Sequence, residues 1–128
     1  MPTLPDILYQ RYQHALEEEL RETFVNQEGL LYNMLVYQLG WKDEHGTPQS
    51  TGSGERYNAS LCLLACESLL AEYEPALPAG AAIELVRNFS LIHEDVHSGS
   101  PSRGLRPSIW WIWGPGQAIN AGDGMHAL

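Results

Sequence analysis

Residues 81–100 read AAIELVRNFSLIHEDVHSGS. Ala82, Val86, Phe89, His93 and Val96 recur at helical spacing, while Glu84, Arg87 and Glu94 fall elsewhere, the pattern of a helix with one apolar stripe. The helix is expected from about Pro78 to His97, ending at the break in SGSPSRG (98–104). Outward from it, four more helical segments can be read, and no strand pattern of comparable length competes with them. The first runs from about Pro5 to Val25, with Thr3 as its cap and Leu8, Ala15, Leu16, Leu20 and Phe24 along one face; Glu17, Glu18, Glu19 and Glu22 form a solvated outer face. The second lies in GLLYNMLVYQLGW (29–41) and stops at Gly40. The third covers about Asn58 to Tyr73, before Pro75, and the last is GQAINAGDGMHAL (116–128). The longest loop is KDEHGTPQSTGSGE (42–55), long enough to be flexible or functional. The expectation is an all-α bundle of about five helices forming one domain over residues 1–128.

Composition narrows the function classes. Sixteen acidic against seven basic residues give a net charge of −9, which disfavours nucleic acid as a partner. Lys42 is the only lysine, so any diphosphate must rely on the six arginines, on metal ions or on helix N-termini. The first twenty residues lack the basic and apolar regions of a signal peptide, and no apolar run is long enough for a membrane span, so a cytoplasmic protein is expected. Cys62 and Cys66, four apart, read as small core residues rather than a redox pair or metal site. The glycosylation sequons at Asn58 and Asn88 carry no weight without a secretory signal.

His93-Glu94-Asp95-Val96-His97 is a formal match to H-E-x-x-H, in which two histidines one turn apart hold zinc and the glutamate activates a water. The longer zincin pattern is absent: Gly99 comes two positions after His97, and position 103 is arginine. Only Asp123 and His126 stand downstream as a third ligand, which leaves a zinc peptidase as a remote alternative. The same turn also reads as half a carboxylate clamp for Mg²⁺, with Glu94 and Asp95 present and Ser98 where a further acid is needed.

The run AAIELVRNFSLIHEDVHSGSPSRGLRPSIWWIWGPGQAINAGDGM (81–125), with LLYNMLVYQLGW (30–41) and GERYNASLCLLACESL (54–69), resembles the trans-isoprenyl diphosphate synthases, the polyprenyl synthetase family. The resemblance covers most of the chain from about residue 29 and implies the N-terminal half of an all-α isoprenoid synthase fold. It implies that the family's Mg²⁺-chelating D-D-x-x-D motif falls on Glu94, Asp95, Val96, His97 and Ser98, with the third acid lost. The family's R-R-G pair falls at Arg103 and Gly104, with one arginine surviving and Arg106 nearby as a substitute. Its G-K-x-x-R motif falls on Gly54, Glu55, Arg56, Tyr57 and Asn58, where an acid replaces the lysine and asparagine the arginine. Glutamate in place of a cation repels a diphosphate. Members are more than twice this length, and their second aspartate-rich motif has no counterpart here; the last helix stops at residue 128 without a terminating signal, so a truncated chain is expected.

The first expectation is therefore a degenerate member, non-catalytic alone, which acts by homo-oligomerisation or by association with a full-length prenyl synthase. The alternative is a prenyl diphosphate-binding subunit whose Mg²⁺ site, built on Glu94, Asp95 and His97 with Arg103, Arg106 and Arg56, is completed in trans. A fragment without function is the third. Individually, His93 is expected in the core, Trp110, Trp111 and Trp113 in core or interface packing rather than a prenyl tunnel, and Asp123 in a structural role. Arg56 is expected to pair with Glu55 or another neighbour if it touches no anion.

Overall fold

The structure is a computed structural model and describes residues 1–49 and 56–128 of the chain. Its elements are α1 (Leu4–Glu22), α2 (Leu30–Gln38), α3 (Tyr57–Leu70), a 3₁₀ turn (Glu74–Ala76), α4 (Leu77–Ser98), the antiparallel pair β1 (Ser102–Arg103) and β2 (Arg106–Pro107), α5 (Ile109–Trp113) and α6 (Pro115–Ala127). The all-α expectation holds. Six α-helices stand among the described residues where five were expected, because α5 is only five residues long and too short to show a period. α1 ends three residues early, and α3 ends at Leu70 because Ala71 takes the left-handed conformation at φ 61°.

The chain divides into two compact units. The first comprises Met1–Val25 and the described part of Glu55–Glu84. Thr3 caps α1 as expected, and its hydroxyl and the Asp6 carboxylate form a reciprocal capping box. α1 buries Tyr12, Leu16 and Leu20 and packs on α3, which buries Ala59 and Leu63. Arg56, just ahead of α3, is also buried: its guanidinium donates through Nε to Glu17 and through Nη1 to Glu84 at 3.4 Å.

At the α1–α3 contact Arg11 makes a two-pronged bond to the Glu67 carboxylate, at 2.5 and 3.0 Å, and the Tyr12 hydroxyl donates to the same group. Arg11 first, and Tyr12 after it, hold the Glu67 carboxyl below the ordinary glutamate value. A depressed carboxylate contributes stability above its unfolded value, about 4.3, and that contribution is lost as pH falls through the lower folded value. Stability is therefore expected to decline as pH is taken below about 4.3, and Glu67→Gln to make the decline shallower, as read from urea midpoints along a pH series.

The second unit comprises the described part of Asn26–Gly54 together with Leu85–Leu128. Met34, Leu35, Tyr37, Leu39 and Trp41 from α2 and its C-terminal turn, Ile92 from α4, Ile109 from α5, and Ala118, Ala121 and Met125 from α6 form its core. α6 packs on both α2 and α5. Its buried stripe consists largely of small residues, so the helix can approach its neighbours closely.

Candidate functional site

The second unit gathers the chemistry at the C-terminal end of α4. Glu94 and Asp95 are sequence neighbours in the last turn, so their side chains leave the helix about 100° apart. Asp95 is buried and Glu94 exposed. Arg103, eight residues past Asp95, reaches back to both: its Nη2 stands 2.9 Å from Asp95 Oδ1 and 3.2 Å from Glu94 Oε2, and its Nε 3.4 Å from Asp95 Oδ2. Partial burial works against the guanidinium's charge, but the bonds to Asp95 and then Glu94 outweigh it and raise its pKa further.

The hairpin around Arg103 explains the reach. Ser102 pairs with Pro107 and Arg103 with Arg106, leaving Gly104 and Leu105 as a two-residue turn. Gly104 stands at φ 61°, the positive value that such turns require at their first position. The base of the hairpin is fastened three times: Ser108 N–H donates to the Pro101 carbonyl at 2.9 Å, and the Ser108 hydroxyl and the Trp110 indole N–H both donate to the Ser100 carbonyl, at 2.8 and 2.7 Å. Arg106 anchors the second strand, donating to the Tyr37 carbonyl at 2.8 Å and the Lys42 carbonyl at 3.0 Å, with its guanidinium 4.1 Å from the Tyr37 ring centre. The Tyr37 hydroxyl donates to the Pro107 carbonyl at 2.5 Å, and the Tyr37 ring meets Trp113 edge-on.

The sequence-nominated residues therefore separate. Glu94, Asp95 and Arg103 meet in one cluster. Arg106 lies in the same unit but gives its donors to the Tyr37 carbonyl in the last turn of α2, where a cation complements the helix dipole, and to the Lys42 carbonyl just beyond that helix. Arg56 belongs to the first unit and is engaged by Glu17 and Glu84, neighbours in space rather than the adjacent Glu55. Gly54 and Glu55 of the G-K-x-x-R match, like Ser50 to Ser53 of the long loop, lie outside the described residues. His97 is exposed on the last turn of α4.

His93 does not sit in the core: its side chain is half-buried, with Nε2 3.1 Å from the Ile119 carbonyl and 3.7 Å from Asp123 Oδ1. A carbonyl only accepts, so Nε2 carries the proton and offers no lone pair to a metal. Gly122 makes the contact possible, because a Cβ there would stand 2.1 Å from His93 Nε2. Gly122→Ala gains helix propensity but drives the imidazole off Ile119 and off its edge-on contact with Phe89. A net loss of about 1–3 kcal/mol is expected, measured as a lower urea midpoint. Trp110 and Trp113 are used for packing and anchoring, and Trp111 is exposed.

Among the described residues, no group of three His, Cys, Asp or Glu side chains could hold a metal ion. The donor set is two carboxylates already balanced by a guanidinium. It fits a hard cation that takes one or two protein oxygens and completes its shell with water and phosphate, the habit of Mg²⁺, and not the three- or four-ligand set of zinc. Residues that sequence reasoning passed over are Tyr37, Ser100 and Ser108, which hold the hairpin. The Arg-Gly-Leu-Arg turn was the one available signal for it.

Most of the chain is similar to known proteins. A family model described as polyprenyl synthetase matches residues 47–128. A (2E,6E)-farnesyl diphosphate synthase of Mycobacterium tuberculosis is 39% identical over 95 residues, covering 74% of this chain and 26% of the relative. A geranylgeranyl diphosphate synthase of the same organism is 36% identical over 114 residues, covering 89% and 31%. The crystal structure of a polyprenyl synthetase from Streptomyces coelicolor superposes with a TM-score of 0.84 at 32% identity, over 94% of this chain and 36% of that one. The chain thus spans between a quarter and just over a third of the length of these proteins. No described helix is long and apolar enough to cross a membrane.

Proposed function

The chain belongs to the polyprenyl synthetase family, and from that premise we propose that these 128 residues serve isoprenoid biosynthesis as an incomplete synthase module: non-catalytic alone, and acting through association with a second copy or with a full-length synthase. The observation that carries this reading is half a clamp. Glu94, Asp95 and Arg103 converge within 3.2 Å, yet Ser98 stands where the resemblance calls for the third acid, and no further ligand joins them among the described residues. Leu61, Leu69 and Leu70 of α3, exposed at 54%, 84% and 59%, are apolar surface of the kind that an associating chain covers.

A second reading is favoured by the same cluster: a prenyl diphosphate-binding subunit whose site is completed by residues of another chain. Mg²⁺, when bound, would neutralise diphosphate charge. Glu94 and Asp95 would hold the ion, Arg103 would take phosphate oxygens, and the buried flank of Asp95 would exclude water from one side.

Incubation of the purified protein with geranyl diphosphate, isopentenyl diphosphate and Mg²⁺ tests the first reading, alongside sedimentation. No condensation product and a defined oligomer are expected; product formed by this chain alone refutes it. A saturable, Mg²⁺-dependent change in tryptophan emission on adding geranyl diphosphate selects the second reading.

A further inference from the structure

The geometry points to a small-molecule site elsewhere in the second unit: a cavity of about 210 Å³ whose lining fits the zwitterion of an apolar α-amino acid. Leu30 and Asn33 at the start of α2, Lys42, Glu44 and His45 of the loop beyond that helix, and Trp113 at the end of α5 enclose it. Glu94, Asp95, Arg103 and Arg106 do not line it, so the site stands independently of the Mg²⁺-diphosphate reading.

Three observations carry it. First, the polar wall is preformed. Residues 42–49 are the described part of the longest loop, and they are tied into a tight hairpin. Lys42 bridges Pro48, the Gln49 N–H donates to the Trp41 carbonyl at 2.8 Å, and the Asp43 N–H donates to the Thr47 carbonyl at 2.9 Å. Asp43 Oδ1 accepts from the N–H groups of His45 and Thr47, at 2.9 and 2.8 Å, which commits this carboxylate to the loop itself. A wall fixed in this way needs little ordering when a ligand arrives. Second, two charges on the lining are left over. Lys42, the only lysine of the chain, makes no ion pair among the described residues, and the Glu44 carboxylate has only the exposed His45 imidazole, at 3.8 Å. Third, the remaining wall is apolar. It consists of Leu30, 49% exposed, and Trp113, whose ring is held edge-on against Tyr37.

This lining selects the ligand. A diphosphate brings more negative charge than one lysine can balance beside Asp43 and Glu44, and a simple amine is repelled by Lys42. A zwitterion presents its carboxylate to Lys42 and the Asn33 carboxamide, its ammonium to Glu44, and its side chain to Trp113 and Leu30. At ~30 Å³ per water the cavity has room for about seven waters, enough for leucine and too little for a prenyl diphosphate.

Calorimetry on the purified protein tests the site with three ligands: L-leucine, isocaproate, which lacks the ammonium, and isoamylamine, which lacks the carboxylate. Wild type is expected to bind leucine saturably in the millimolar range and each of the other two about tenfold more weakly. Lys42→Met is expected to weaken leucine binding about tenfold and Lys42→Arg to retain it. Glu44→Gln is expected to weaken leucine about tenfold without weakening isocaproate, since only the ammonium loses its partner. Neither side chain takes part in the hydrogen bonds that hold the loop, and circular dichroism checks that the variants keep their helices. Should a variant fail that check, the ligand series on wild type decides alone. No saturable binding of leucine up to about 10 mM overturns the site. Isocaproate or isoamylamine binding as tightly as leucine, or undiminished leucine binding by folded Lys42→Met, overturns it equally.

Discussion

Arg56→Met is expected to lower the unfolding free energy by about 3–5 kcal/mol, the cost of removing one member of a buried charge network. Arg56 is 2% exposed, and its guanidinium is shared between Glu17 on α1 and Glu84 on α4, the latter fully buried. Methionine fills much of the same volume, so the loss reports the charge and not a cavity. Arg56→Met combined with Glu84→Gln is expected to recover part of the loss, since the second change removes the buried anion whose partner was taken. Urea midpoints of the two variants measure both effects; a loss below about 1 kcal/mol would show that Arg56 acts as an ordinary exposed pair. The same variant judges the expectation that Arg56 touches an anion: loss of a diphosphate contact would weaken binding and leave stability intact.

Tyr37→Ala is expected to cost a similar amount, about 3–5 kcal/mol, because a buried aromatic side chain at the centre of the second unit is lost. Tyr37 is 2% exposed, meets Trp113 at 5.2 Å between ring centres and lies under the Arg106 guanidinium. Its hydroxyl holds Pro107, so the substitution also loosens the strand that faces Arg103. Tyr37→Phe keeps the ring and removes only that bond, with an expected loss of about 1 kcal/mol. Burial pushes the Tyr37 phenol above its ordinary value despite the opposing charge of Arg106. Because burial favours the neutral phenol in the folded state, stability is unaffected below the unfolded phenol's value of about 10 and is lost as pH rises from there through the folded one. The wild-type and Phe stabilities should therefore converge on the alkaline side, as measured by paired urea titrations.

Both predictions concern residues whose partners the sequence did not name, and the reasons are specific. The helical spacing of Val86, Phe89, His93 and Val96 was enough to place α4, though not its buried face, which is Ala81, Glu84, Leu85, Asn88, Ile92 and Asp95 while Val86 is exposed; Thr3 with Asp6 was enough to start α1, because helix periodicity and capping act within a few residues of chain. Gly114 and Pro115 likewise mark the start of α6. The run from residue 81 to 125 was sufficient to recognise the family, since it preserves order and spacing even where individual acids and arginines have changed.

What the chain pattern could not decide was which partner each charged group takes. Glu94, Asp95 and His97 stood as candidate metal ligands and Arg103, Arg106 and Arg56 as candidate diphosphate binders, with nothing in the chain to say which of them meet. The fold gives Arg103 to the carboxylates, Arg106 to the carbonyls of Tyr37 and Lys42, and Arg56 to Glu17 and Glu84, thirty-nine and twenty-eight positions away. Helix period and turn chemistry are local properties, encoded in neighbouring residues. The pairing of a guanidinium is set by burial and distance among groups that the sequence keeps far apart, so it exists only once the tertiary structure has brought them together.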